Sequence, residues 1–502
     1  MKQGLKYFCS RKSTRFLILK LKRFAILCVG LAAILPAQMR GADWLHAGFL
    51  YDDFKLTLEP GHRTEALGPL FYSQERDTEK LWALPPLYSD LKDPSIQRRE
   101  CDFGYPVVTY RRYGTEWRWQ FIQIFSFAGS ANQAEQNARR FTLFPIYFQQ
   151  RSPEPGQNYT AVFPFYGHLK NRVLKDEIYF VMFPIFSETR KADVVTDNYV
   201  YPFFDVRHGD GLTGWQLWPI TGHEHKDVTT KTNGFGDVEK VGGYDSRFVL
   251  WPFYLTKLSG IGTDDPDRQM AVIPIYGYER SPKRDVTTVV WPFFSHITDR
   301  EKKYSEWQTP WPLIEFAKGE GKTTKRVWPF YSDSHNAYLE SRWYLWPTYK
   351  FNRVHSDPLD RTRTRIFLFL YSDTEQRNTQ TGTYQGRKDF WPLFTYKHDY
   401  NGNTRLQIFA PLEPILPTSK SVERDYSPVW SVWRAEKNPT TGTRSQSLLW
   451  NLYRRDATPV SKKCSLLFGL FQYQSDTDGK RVRLFYIPVV KTKPLATKAE
   501  AK

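Results

Sequence analysis

Cysteine is nearly absent from this chain, with four in 502 residues. Cys9 and Cys28 stand in the first thirty positions, and the other two, Cys101 and Cys464, are 363 residues apart. That excludes a disulfide framework and leaves no zinc-type spacing. Cys101 and Cys464 could pair only if the first and last parts of the chain meet in space. Helix-favouring composition is scarce too, and a proline interrupts nearly every apolar stretch, where it would break a helical hydrogen-bond ladder. No serine elbow and no Cys/His nucleophile signature is present. Acidic residues are missing altogether from the first 42 positions, which hold five Lys and four Arg. Half of the net charge of +18 therefore belongs to that segment, and the remaining excess is mild and scattered.

The first 42 residues have the order of a secretory signal peptide. Lys2 to Arg23 is a long basic stretch. Phe24 to Leu35 is an apolar run of twelve residues, short of the ~20 that a membrane-spanning helix needs. Pro36 and small residues follow, and cleavage is expected after Ala37 or Ala42. Leu27 before Cys28 argues against a lipoprotein signal. The chain is thus expected to be exported, to an outer membrane or to the periplasm or extracellular space.

What is abundant is aromatic side chain, 17% of residues, together with 33 Pro and 30 Gly. These are arranged as a repeat, the feature to read first. A bulky residue precedes Pro at Phe144-Pro145, Phe163-Pro164, Phe183-Pro184, Tyr201-Pro202, Trp218-Pro219, Trp251-Pro252, Ile273-Pro274, Trp291-Pro292, Trp311-Pro312, Trp328-Pro329, Trp346-Pro347 and Trp391-Pro392. Most recur at 17 to 22 residues, and weaker copies extend from Gly68-Pro69 to Ile487-Pro488. Each copy, exemplified by Arg247 to Lys257, reads as one apolar strand bounded by charges. Turn formers such as Gly209-Asp210-Gly211 and Asn401-Gly402-Asn403 separate the strands.

The expected fold is all-β, a long antiparallel up-and-down meander of about twenty strands. Its expected parts are a signal peptide over 1–42, a lead-in over 43–65, the aromatic-Pro-aromatic β-repeat over 66–490 and a polar tail over 491–502. So many strands are expected to curl and close, giving an outer-membrane-type barrel. In that reading Val249, Trp251 and Phe253, or their opposite-face neighbours, meet lipid. The alternative is a soluble β-shell, propeller or layered sheet, favoured by runs that are apolar on both faces, by loops that do not alternate in length and by the polar C-terminal tail. The repeated Pro, which cannot donate in a sheet, suggests a line of bends across it.

No motif that carries chemistry holds up. Gly319 to Thr324 has the end of a phosphate loop, but Phe316 stands where its first Gly belongs, and no helix follows. His223 and His225 would share one face of a strand but have no third ligand nearby. Asp52 and Asp53 are adjacent on a strand and point apart, a poor carboxylate pair. No catalytic, cofactor-binding or metal residue is assigned, and no cofactor is expected. The expected function is that of a non-catalytic envelope protein, structural or transport-related. The alternative is a secreted or periplasmic scaffold binding a glycan or protein. Outer-membrane lipid, a glycan or an envelope protein are the partners in view, and nucleic acid is not, since no basic cluster stands out. Lys226 to Asp245 is expected to be an exposed loop.

Overall fold

The computed structural model describes residues 47–123, 125–132, 138–152, 155–232, 236 and 238–492. The signal-peptide reading of 1–42 and the tail beyond 492 lie outside these residues. Within them the protein is an all-β meander: 43 strands form a single antiparallel sheet, and a two-stranded hairpin stands apart. Each strand bonds the one before and the one after it in the chain. The register is regular, as where Tyr349–Ser356 pairs Leu359–Ile366 over eight residues. Among the described residues no pairing joins the first strand, Asp52–Lys55, to the last, Ile487–Thr492, so the sheet is not closed into a barrel. The meander already includes Asp52–Lys55 and His62–Ala66, within the segment expected to be a lead-in.

The strand count is twice that expected, and the reason is local. Arg247 to Lys257 is not one strand. Gly243–Val249 ends at Val249, residues 250–253 turn, and Tyr254–Ile261 begins the next strand. The aromatic-Pro-aromatic segment is the turn. Leu250 N donates to Ile220 O, Trp251 N to Pro219 O and Phe253 N to Leu250 O. Every N–H of the turn is thus used, and the one residue without an N–H is Pro252. The same three bonds recur at Met182-Phe183-Pro184-Ile185, Val200-Tyr201-Pro202-Phe203 and Val290-Trp291-Pro292-Phe293. The Xaa-Pro bond is cis in each of these turns. Because each turn bonds its predecessor, the ladder continues along the turns as it does along the strands.

One repeat is therefore two strands and two turns. Strands of four to eight residues make a ribbon about 20 Å wide at ~3.4 Å per residue. One long edge is the row of Pro turns. The other is a row of polar turns such as Asp210-Gly211, Arg300 to Lys303 and Asn401-Gly402.

The ribbon is a single layer. Among the described residues fifteen hydrophobic side chains are buried, and one small cluster, Tyr159, Ala161, Leu169 and Phe180, forms a local core. Cross-strand pairing in place of a shared interior holds the rest together.

The ribbon curls until its ends meet. Following directly paired residues from strand to strand keeps one face in view. It runs from Tyr72 through Ala83, Ser89 and Asp102, through Ser187, Asn198 and Asp205, to Thr395, Gln407 and Arg434. This face is the inner one, because its two ends approach each other. The Arg454 guanidinium stacks 3.4 Å from the Phe54 ring centroid. Asn451 Nδ2 donates to Asp52 at 2.8 Å and to Glu65 at 2.9 Å. Cys101 and Cys464 are free thiols. Both lie on the opposite, outer face, paired in register with Tyr110 and Tyr473, so the meeting of the ends does not bring them together.

Candidate functional site

Three features stand out: a plug that joins the two ends, an apolar rim, and a cationic stretch of the inner face. The plug is residues 410–432, inserted between strands Thr404–Ile408 and Trp433–Asn438. It holds two short helices, Lys420–Asp425 and Ser427–Trp430. Ser419 caps the first by accepting from Val422 N. The plug faces the early strands through Arg424. Its Nε donates to Ser89 Oγ at 2.9 Å and Nη1 to Glu100 at 3.2 Å, and Nη2 pairs with Asp102. Tyr72 Oη donates to Arg424 O at 2.8 Å, and Arg111 spans Asp102 and Ser421. Arg424, Asp102 and Asp425 are all buried. Burial, reinforced by the Asp102 charge, pushes the Asp425 carboxyl up to about 7 against the pull of Arg424. On its other side the plug grips the late strands. Glu413, buried, accepts from Gln407, Ser427 and Trp430. Arg387 donates to the Glu413 and Pro417 carbonyls, and Lys397 and Arg405 pair with Glu423.

The rim is the edge formed by the Pro turns. Leu250, Trp251 and Phe253 are 57%, 47% and 57% exposed, and Val290, Trp291 and Phe293 in a later turn are 47%, 48% and 46% exposed. Aromatic rings pack in tilted pairs from turn to turn. Phe163 lies 5.5 Å from Phe183, Phe183 lies 5.7 Å from Tyr201, and Trp218 lies 5.7 Å from Trp251. The first residue of these turns is left-handed: Met182, Val200, Leu250, Val290 and Leu345 have φ of 46°, 53°, 49°, 49° and 43°. A side chain there costs about 1–2 kcal/mol that glycine would not. At the opposite edge left-handed positions are mostly Gly or polar: Asp77, Gln97, Asn171, Gly211, Gly402. Val173, Leu174 and Ala192 are the exceptions. The rim thus keeps apolar side chains at a conformational cost and in view of solvent.

The residues weighed from sequence fall elsewhere. Gly319 to Thr324 is a hairpin, and Lys322 is held by Glu306 at 2.8 Å and Glu315 at 2.7 Å. His223 and His225 do share a face, and both converge on Asp245, at 2.9 and 3.4 Å. The His223 hydrogen bond holds the Asp245 carboxyl below its usual range. Among the described residues no group of His, Cys, Asp and Glu is arranged to hold a metal ion. Asp52 turns to Asn451 and Asp53 to Thr64 and His62, on opposite faces as expected. The segment from Lys226 to Asp245 is not a plain loop but a projecting hairpin, Thr229–Thr232 with Val238–Val241.

Sequence reasoning missed the cationic stretch. Lys350, Arg361, Arg363 and Arg365 lie on the inner face, with Arg326 and Arg387 nearby on the same face. The available signal was the alternation Arg361-Thr362-Arg363-Thr364-Arg365, which puts three cations on one side of a strand. No model of a known protein family matches this chain, and no curated protein matches it.

Proposed function

We propose that this is an exported, non-catalytic envelope protein, structural or transport-related, seated on a membrane by its rim. The observation that carries this reading is the row of exposed apolar turns whose backbone N–H groups are all bonded within the row. A group that enters hydrocarbon must bring its hydrogen bonds with it, and these turns bond one another in series. The Trp, Tyr and Phe of the rim are the side chains that favour a membrane–water boundary. Strands of four to eight residues are shorter than the ~9–11 of a transmembrane strand, and many, such as Tyr371–Asn378 with sequence YSDTEQRN, are polar in the middle. That supports a rim lying in one leaflet more than a band crossing two.

Flotation with phosphatidylcholine vesicles tests the reading. The protein is expected to float with the vesicles at high salt, and its tryptophans to be quenched by brominated lipid. Replacing Trp251, Trp291, Trp328 and Trp346 together by Ser should reduce the floating fraction severalfold while the strand-rich spectrum persists. A well-folded protein that stays at the bottom of the gradient, or whose rim is buried in a dimer by light scattering and cross-linking, would refute it.

A further inference from the structure

We propose that the inner face of strands Tyr349–Ser356, Leu359–Ile366 and Tyr371–Asn378 is a binding site for clustered phosphate groups, with Lys350, Arg363 and Arg365 as the principal donors. Lys350 is directly opposite Arg365 in register. Arg363 is opposite Asn352 on one side and Thr374 on the other, and Thr374 is opposite Arg387. The side chains of these cations therefore converge from neighbouring strands ~4.8 Å apart.

The two faces of the same strands differ in charge pairing. On the outer face each cation has its acid: Arg353 with Asp360 at 2.7 Å, Lys388 with Asp373 at 3.0 Å, Arg377 with Glu375 at 2.9 Å. On the inner face, among the described residues, no acid pairs with Lys350, Arg361, Arg363 or Arg365, and Arg363 Nε is buried without a hydrogen-bond partner. Burial, then the charges of Arg365 and Arg361, lowers the pKa of Arg363 against the opposing pull of Asp389. Burial, then Arg365, Arg326 and Arg363, lowers that of Lys350. Arg326 pairs with Glu315 and Arg387 with Asp389 at the margins of the stretch, but Lys350, Arg361, Arg363 and Arg365 outnumber the acids near them; gathering like charges in this way opposes folding, and an anionic ligand would relieve it.

The chain also shows what this face binds. A few strands on, Arg387, Lys397 and Arg405 belong to the same face; the plug reaches them with the Glu423 carboxylate and the carbonyls of Glu413 and Pro417, and the strands add Asp389 to Arg387 and Glu436 to Arg405. The cations of this face thus take oxygen acceptors from the plug and from neighbouring strands, whereas Lys350, Arg361, Arg363 and Arg365 have no paired acid among the described residues. A cavity of about 420 Å³, lined in part by Arg361, Thr374, Gln385, Arg387 and Lys397, adjoins the open part. Guanidinium forks bind phosphate oxygens in pairs, and the ammonium adds a point charge. The phosphates could be those of a lipid headgroup, since Lys350 and Arg365 sit one residue in from the Pro-turn rim, or those of a soluble polyanion.

Calorimetry with tripolyphosphate, in the absence of vesicles, tests the site independently of membrane seating. Saturable binding that weakens with salt is expected. The Lys350→Gln, Arg363→Gln, Arg365→Gln triple variant should lose at least tenfold in affinity. An Arg353→Gln variant, altered on the outer face, should not. The triple variant should melt at or above the parent temperature, since it removes like-charge repulsion, so loss of binding is not loss of fold. If the triple variant also loses its preference for vesicles containing phosphatidylglycerol, the source is a headgroup; if that preference is unchanged while tripolyphosphate binding falls, it is a soluble anion. Absence of saturable tripolyphosphate binding, or equal loss in Arg353→Gln, overturns the proposal.

Discussion

Arg424 and Asp425 show how a few residues decide whether the ends of the ribbon stay together. Arg424 reaches Ser89, Glu100 and Asp102 from a chain position more than 300 residues away. Removing one member of a buried ion cluster leaves its partners charged and unpaired, at a cost of about 3–5 kcal/mol. Arg424→Ala is therefore expected to destabilise the protein by about that amount in denaturant titration. Arg424→Lys should recover only part of the loss, because a point charge cannot serve Ser89, Glu100 and Asp102 together. Asp425 gives the seam a pH dependence. Burial raises its pKa from 3.8 to about 7, so the folded state holds a proton that the unfolded chain releases. The resulting stabilisation is complete below pH ~4, falls as pH rises, and is lost once pH has passed about 7. The full difference is roughly 4 kcal/mol. Melting curves from pH 5 to pH 8 should show the parent weakening more steeply than Asp425→Asn, which cannot ionise. Parallel curves for the two proteins would show that Asp425 does not carry this effect.

At the scale of the element, the unit is a hairpin pair with one apolar and one polar turn. The all-β class, the antiparallel meander and the period near twenty were legible, because proline excludes helix and short polar turns dictate neighbouring strands. The strand boundaries were not. An apolar run centred on Trp-Pro-Phe reads as a strand when apolar residues are assumed to face a core. Here they sit in the turns, and strands such as Tyr371–Asn378, with sequence YSDTEQRN, carry the charge. Pro was the clue: among the turn residues it alone has no N–H to satisfy, while its carbonyl accepts from the next turn. The hairpin of Thr229–Thr232 and Val238–Val241 breaks the pattern and, among the described residues, its strands pair only with each other, so it is expected to be the first site of limited proteolysis. Mass spectrometry should place the first cuts between Thr229 and Val241, with strands Thr221–Lys226 and Gly243–Val249 still paired. First cuts at Leu250 to Phe253 would contradict the hydrogen-bonded row of turns.

At the scale of the whole molecule, a ribbon with one apolar edge, one polar edge and a plugged seam suits an envelope scaffold, and that reading requires export. The protein recovered from the envelope fraction is expected to begin near residue 38 or 43 by N-terminal sequencing; an intact Met1 on protein confined to the cytosol would exclude it. The composition and repeat by themselves determined an all-β antiparallel meander. They did so because proline placement, turn residues and β-favouring side chains act over a few neighbouring positions and need no knowledge of the rest. Only the tertiary structure decided which face is inner, that 410–432 bridges strands hundreds of residues apart, and that Lys350, Arg363 and Arg365 converge. Those facts depend on register carried through dozens of strand pairs and on how far the sheet curls. Each pairing contributes a small rotation that no local pattern records, and only their accumulation brings Arg424 to Asp102 and Arg454 to Phe54.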